Sequence, residues 1–313
     1  MKINFSFPTL KESILAIAIL FAFFILTFIF VGLRPEHFLL AVLFCLLFFA
    51  NMDSRKLIVG LLPFVIFGIS YDWMRVFPNF MVNSIDVEAL YNLEKSLFGI
   101  IDNGSLLIPS EYFALHNHPT IDFLAGIFYL GWVPIPIAFG LYLYRKKQKN
   151  LFLRFSMVFL FVNLLGFACY YVHPAAPPWY ALNFGFEPVL DTPGNMAGLA
   201  RFDALTGLPV FDSIYGRNAN VFAALPSLHS AYLVIVLFYA LKNKSHWAIL
   251  TTIVLFMFGI WATAVYTAHH YIIDVLSGIL CALTGIFLFE YGLIRLPFFK
   301  RFFQKYLDYI TQK

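Results

Sequence analysis

The chain has 313 residues, of which 61% are hydrophobic and only 12% charged, with a mean hydropathy of +0.80. Soluble domains carry about 25% charged residues, so this composition excludes an ordinary soluble globular protein and implies a chain that crosses a membrane several times. The formal charge of +4 does not imply a nucleic-acid partner, because the basic residues cluster beside apolar segments, where orientation in the bilayer accounts for them.

The first apolar run, 13–32, is close to the length a spanning helix needs, and no small-residue cleavage site follows it, so it is expected to be retained. Further runs follow at 37–51, 56–72, 120–144, 151–172, 220–241, 246–267 and 271–294. The expected fold is therefore all-α, a polytopic membrane helix bundle of about eight transmembrane helices, or six to seven if the short second and third runs do not cross. Cys45, Cys169 and Cys281 all fall in these apolar runs and read as small core residues, not as a disulfide or metal framework. The two long connections, 73–119 and 173–219, collect most of the Pro, Gly, Asn and Asp. Within the first, DVEALYNLEKSLFGI at 86–100 has apolar residues at helical spacing, with Glu88, Glu94 and Lys95 on other faces. It is too polar to span and predicts an interfacial helix on the outer face. No internal repeat or soluble domain is visible, and the chain divides into N-terminal helices (1–72), a membrane domain that carries the long connections (73–295) and a basic tail (296–313).

Lysines and arginines recur at every second connection: Lys2 and Lys11, Arg55 and Lys56, Arg145 to Lys149, Lys242 and Lys244, then Lys300, Arg301 and Lys305. With eight spans all five sites fall on one side, which the positive-inside tendency makes cytoplasmic, together with both termini. The long connections, the segment around His229 and the turn at His269 and His270 then face the non-cytoplasmic side.

Three clusters on that face carry ionisable groups. In AHHYIIDV (268–275), His270 and Asp274 are four apart, on one helix face. A carboxylate there fixes the imidazole tautomer and raises the basicity of the other nitrogen, as an activated nucleophile or base requires. His269 points elsewhere and has no evident role beyond shaping the turn. In ALPSLHSAY (224–232), Ser227 is placed to cap a helix start, so that a phosphate there meets backbone donors, the Ser227 hydroxyl and His229. The outer loop adds PPWY, GNMAGLARFD and Arg217. Arg201 and Arg217 are candidates to clamp phosphate oxygens, or else they pair with Asp203 or Asp212. PPWY also suits an interfacial aromatic anchor. Two histidines, an aspartate and arginines on one face suit phosphoryl chemistry through a covalent histidine. A metal site and an intramembrane proton relay are the competing uses of such a set, and no thiolate or dense carboxylate cluster supports the metal.

P-S-L-H at 226–229 followed by H-Y-I-I-D at 270–274 resembles the second and third signature motifs of the phosphatidic acid phosphatase type 2 superfamily. With A-P-P-W-Y and A-G-L-A-R-F-D ahead of them, the chain more closely resembles its inositol phosphorylceramide synthase branch, over about residues 86–292. The resemblance implies that His270 attacks the lipid phosphorus, Asp274 orients it, and His229 protonates the leaving oxygen and then deprotonates the acceptor alcohol. It implies lipid substrates, phosphatidylinositol and ceramide, and no cofactor. The phosphatases of the superfamily have Arg six residues before the third-motif His, where this chain has Ala264, and their Lys-containing first motif is not visible. These departures favour transfer over hydrolysis. No feature of the sequence specifies a second subunit or an oligomeric state.

Overall fold

The computed structural model describes residues 7–216 and 219–311. The helices in chain order are α1 (Leu10–Phe30), α2 (Pro35–Ala50), α3 (Met52–Gly60), α4 (Leu62–Trp73), α5 (Glu88–Phe98), α6 (Pro109–Leu115), α7 (Pro119–Leu130), α8 (Pro134–Arg145) and α9 (Lys149–Val172). They continue with α10 (Pro178–Phe184), α11 (Ala200–Thr206), α12 (Val210–Tyr215), α13 (Leu228–Lys242), α14 (Trp247–Tyr266), α15 (Ile272–Phe287) and α16 (Pro297–Thr311). One small departure from an all-helical chain is the antiparallel hairpin of β1 (Ile100–Asp102) and β2 (Ser105–Leu107).

This is an integral membrane protein built of helices. By length and apolarity, Leu10–Phe30, Lys149–Val172, Trp247–Tyr266 and Ile272–Arg295 each suffice to cross a bilayer among the described residues. Two of the expected spans are broken: α3 and α4 meet at 47°, and α7 and α8 at 44°. The cause is local, since Pro63 and Pro134 lack the N–H a continuous helix would use and crowd the preceding turn. Two others, α2 and α13, are shorter apolar helices. The expectation of about eight thus resolves into four unbroken helices, two bent pairs and two short helices, and length alone supports four to six crossings. The run expected at 220–241 becomes helical only at Leu228, because Pro226 cannot donate and Ala223 lies in a bridge with Ala175.

The core lies between α9, α13, α14 and α15. Aromatic rings dominate it: Phe64 and Phe67 of α4 meet Phe159 of α9 at 4.8 and 5.4 Å, and Phe159 in turn meets Tyr232 of α13 at 4.6 Å. By contrast α1 and α2 are peripheral, meeting α3 in a small cluster of Ala16, Phe48 and Ile58. At one end of the bundle Arg154 and Lys242 converge on Glu290 at 2.7 and 2.8 Å, with the Tyr239 hydroxyl donating at 2.6 Å. The tail near that end is helical: α16 buries Phe303 and Ile310 and exposes Lys300, Arg301 and Lys305. At the other end the long connections cover the start of α13 and the α14–α15 turn. A helix does form within 86–100, as α5, but Glu94 is not on an outward polar face; it is fully buried.

Candidate active site

The turn between α14 and α15 is tight. Ala268 takes a left-handed φ of 59°, a conformation uncommon for a residue with a Cβ, and the Ala264 carbonyl accepts from both His269 N and His270 N at 3.0 Å. Ala264 itself is fully buried beneath the turn. Asp274 sits in the first turn of α15, where Oδ2 accepts from Tyr271 N at 2.9 Å and lies 3.3 Å from His270 Nδ1. On the other side of the ring, His270 Nε2 is 3.0 Å from His229 Nδ1. The imidazole of His270 therefore bridges a carboxylate and a second imidazole, residues 41 apart in sequence being joined by a single hydrogen bond. With Nδ1 donating towards Asp274, Nε2 carries the lone pair and His229 Nδ1–H donates to it. Burial holds the His270 imidazole down to about 4, against the pull of the Ala224 carbonyl, so it is neutral at pH 7.

Backbone contacts fix that geometry. Ser227 N donates to the Asp274 carbonyl at 2.9 Å. The Ser230 hydroxyl lies 2.8 Å from the Ser227 carbonyl and 2.9 Å from that of Val275. Gly278 admits the crossing: a Cβ on it would lie 2.0 Å from Ser227 O and 2.2 Å from Ser230 Oγ. Overhead, Trp179 N donates to Ala268 O and Gly198 N to Thr267 O, both at 2.9 Å, so the outer loop is tied to the histidine turn. The PPWY run is accordingly interior: Trp179 and Tyr180 are buried against Phe222 and the turn, not anchors at a membrane interface.

Two sequence expectations need correction. Ser227 does not cap α13, for its side chain makes no cap hydrogen bond. Its N–H is committed to Asp274, and its hydroxyl is buried without a partner outside the lining of the histidine cavity. Arg201 pairs with neither Asp203 nor Asp212. Its Nε donates to Asp122 Oδ1 at 2.6 Å, and its guanidinium lies over the Tyr266 ring. It lines a cleft with Asn183, Asn195 and Gly198 that shares Trp179 with the histidine cavity, and its buried Nη2 has no hydrogen-bond partner. Asp203 is engaged elsewhere, accepting from Phe211 N and Asp212 N at the start of α12. Arg217 lies outside the described residues; Tyr215 and Asn220 on either side of it line the histidine cavity.

That cavity holds about 240 Å³, and its lining includes His229, His269 and His270 together with Phe67 and Tyr71 of α4 and Phe167 and Tyr170 of α9. His229 is held edge-on to Trp132 at 4.6 Å and against Tyr129 at 5.1 Å. His269 lies between Tyr129 and Tyr215, with Nδ1 3.0 Å from Thr267 Oγ1. Sequence reasoning missed Tyr129, Trp132 and Glu94, since aromatic residues are abundant throughout and nothing in a local pattern selects these. Among the described residues no three His, Cys, Asp or Glu side chains gather as a metal site.

Any group that approaches Nε2 of His270 along its lone pair has to displace the His229 contact. The PAP2 superfamily profile matches residues 104–288. The chain belongs to the PAP2 superfamily. It is 60% identical over 303 residues to the phosphoinositol dihydroceramide synthase of Bacteroides thetaiotaomicron, covering 97% of this chain and 99% of that protein. It is 26% identical to the inositol phosphorylceramide synthase catalytic subunit AUR1 of Saccharomyces cerevisiae, over 81% of this chain and 62% of that protein. The inositol phosphorylceramide synthase of Candida albicans is 28% identical over 83% of this chain and 54% of its own length. No solved structure gives a significant match. Within the superfamily's matched segment fall α7 to α15, and with them every residue of the His229–His270–Asp274 relay.

Proposed function

We propose that this protein is a lipid phosphotransferase that moves phosphoinositol from phosphatidylinositol to ceramide or dihydroceramide, releasing diacylglycerol. The observation that carries the reading is the His229–His270–Asp274 relay at an aromatic cavity. Its similarity to the Bacteroides synthase over nearly the whole of both chains supports the choice of head group and acceptor.

In the first half-reaction Nε2 of His270 attacks the phosphodiester phosphorus, the bond to the diacylglycerol oxygen breaks, and His229 delivers a proton to that oxygen. Asp274 holds the Nδ1–H tautomer and offsets the charge that develops on the ring. In the second, His229 takes the proton of the ceramide hydroxyl, the new oxygen attacks phosphorus, and the N–P bond breaks, restoring His270. The N-terminus of α13, with no side-chain cap, faces the phosphate with a positive dipole end. Arg217 of the outer loop is the cation assigned to the phosphate, while Arg201 is held by Asp122. The aromatic lining of the cavity keeps water scarce, so an acceptor lipid held there outcompetes hydrolysis by proximity. We assign both termini to the cytoplasm and the relay to the non-cytoplasmic face, with α5 lying along that face; the basic residues near the opposite end of the bundle support this orientation.

The test is incubation of purified protein with head-group-labelled phosphatidylinositol, with and without ceramide. Label should pass to a ceramide-based lipid. Release of free inositol phosphate at the same rate whether or not ceramide is present would establish hydrolysis instead.

A further inference from the structure

A buried carboxylate of α5, outside the relay, reaches the start of α15. Glu94 is fully buried, and its two oxygens accept from the backbone N–H groups of Ile272 (2.8 Å) and Ile273 (3.2 Å), across 178 and 179 residues of sequence. These are the first two N–H groups of α15, donors that no turn of helix can satisfy. The next carboxylate along, Asp274, accepts from Tyr271 N. The start of α15 is therefore held by two acidic side chains, one its own and one supplied by a distant helix. Tyr91, one turn earlier on α5, donates to Glu111 at 2.7 Å and so locks α5 onto α6. Burial raises the proton affinity of Glu94, and the nearby Asp274 raises it further, so the geometry is maintained against a cost that a merely space-filling residue would not incur.

We propose that Glu94 is a positioning residue for the relay: by capping α15 from α5 it sets where Asp274 stands against His270, and through them the His270–His229 distance. It is not among the residues that line the cavity, and its hydrogen bonds go to the backbone of residues 272 and 273, through which it acts. Because α5 belongs to the long connection over the site, this makes that connection part of the catalytic geometry.

The inference rests on the proposed transfer reaction, and the experiment separates the two. Turnover by the wild-type protein tests the reaction itself, whatever lipid product it yields; ratios of variant to wild type then test Glu94. In full-length protein, Glu94→Leu should lower kcat at least about tenfold with KM changed less than about twofold, and Glu94→Gln, which keeps an acceptor, should recover to within about threefold. The donor side supplies the decisive control. Ile272→Pro deletes the N–H that Glu94 accepts at the first helical position, where proline is tolerated, and Tyr271 ahead of it already has φ −70° and ψ 159°, as a residue before proline requires. If Glu94 works through that N–H, the double variant Glu94→Leu/Ile272→Pro loses little more than the worse single variant. Multiplying losses in the double variant, or a raised KM with unchanged kcat in Glu94→Leu, would overturn the proposal.

Discussion

Gly278→Ala is a one-carbon change that should disable the site without touching any catalytic side chain. The added Cβ would lie 2.0 Å from Ser227 O, 2.2 Å from Ser230 Oγ and 2.9 Å from Ser227 C. Two of those atoms are backbone, so rotating a side chain cannot relieve the clash and α13 has to move away from α15. Restoring an ordinary contact needs a displacement of about 1 Å, and overpacking of this kind costs about 1–3 kcal/mol of stability. The same movement stretches the Ser227 N to Asp274 O bond, now 2.9 Å, and the His229 to His270 contact, now 3.0 Å. A misplacement of about 1 Å at reacting groups costs on the order of 10²-fold in rate. The assay is transfer of labelled phosphoinositol in detergent, run alongside thermal unfolding followed by fluorescence. A Gly278→Ala protein with activity within about threefold of wild type would refute the claim that this crossing sets the histidine spacing.

Other outcomes follow from the same geometry. Asp274→Asn puts an amide where His270 Nδ1 needs an acceptor, so kcat should fall by about 10²–10⁴-fold, while binding of phosphatidylinositol, followed by its quenching of tryptophan fluorescence, changes little. Because burial depresses the His270 imidazole from 6.5 to about 4, Nε2 stays unprotonated above that value; the contribution of His270 to kcat/KM should persist as pH falls through 6 and be lost only near pH 4, and an acid limb centred at 6.5 would contradict the burial argument. Since Arg201 is committed to Asp122 outside the histidine cavity, Arg201→Ala should lower kcat/KM by less than about tenfold, with a fall in the unfolding temperature; a loss equal to that of His270→Ala would return Arg201 to the phosphate.

Much of the site was legible because it is local. His270 and Asp274 lie one helical turn apart, so helical period selects that pair, whereas P-S-L-H marks only a helix start and His229 takes its role from the resemblance. What the sequence obscured is tertiary. Ser227 has the composition of a cap, yet its N–H is taken by a carbonyl 47 residues on, a partner that no spacing rule selects. Arg201 was weighed against the nearest acidic residues, Asp203 and Asp212, while its actual partner, Asp122, lies 79 residues away on α7. Glu94 reads as the polar face of an amphipathic helix; it is buried because α15 offers it two free N–H groups. The helix positions were legible from apolar runs, and the breaks at Pro63 and Pro134 were marked by proline, but whether a bent pair is one crossing depends on packing that hydropathy does not encode.

The central claim is transfer through His270, and a pulse and chase on the protein tests it most directly. Purified protein is mixed with phosphatidylinositol labelled at phosphorus, without acceptor, and quenched in alkaline detergent, in which a phosphohistidine survives. Label should appear on the protein, be absent from His270→Ala, and pass to lipid when ceramide is added before the quench. Formation of the ceramide product at full rate with no label on the protein at any time would mean direct displacement between the two lipids, and would contradict the account.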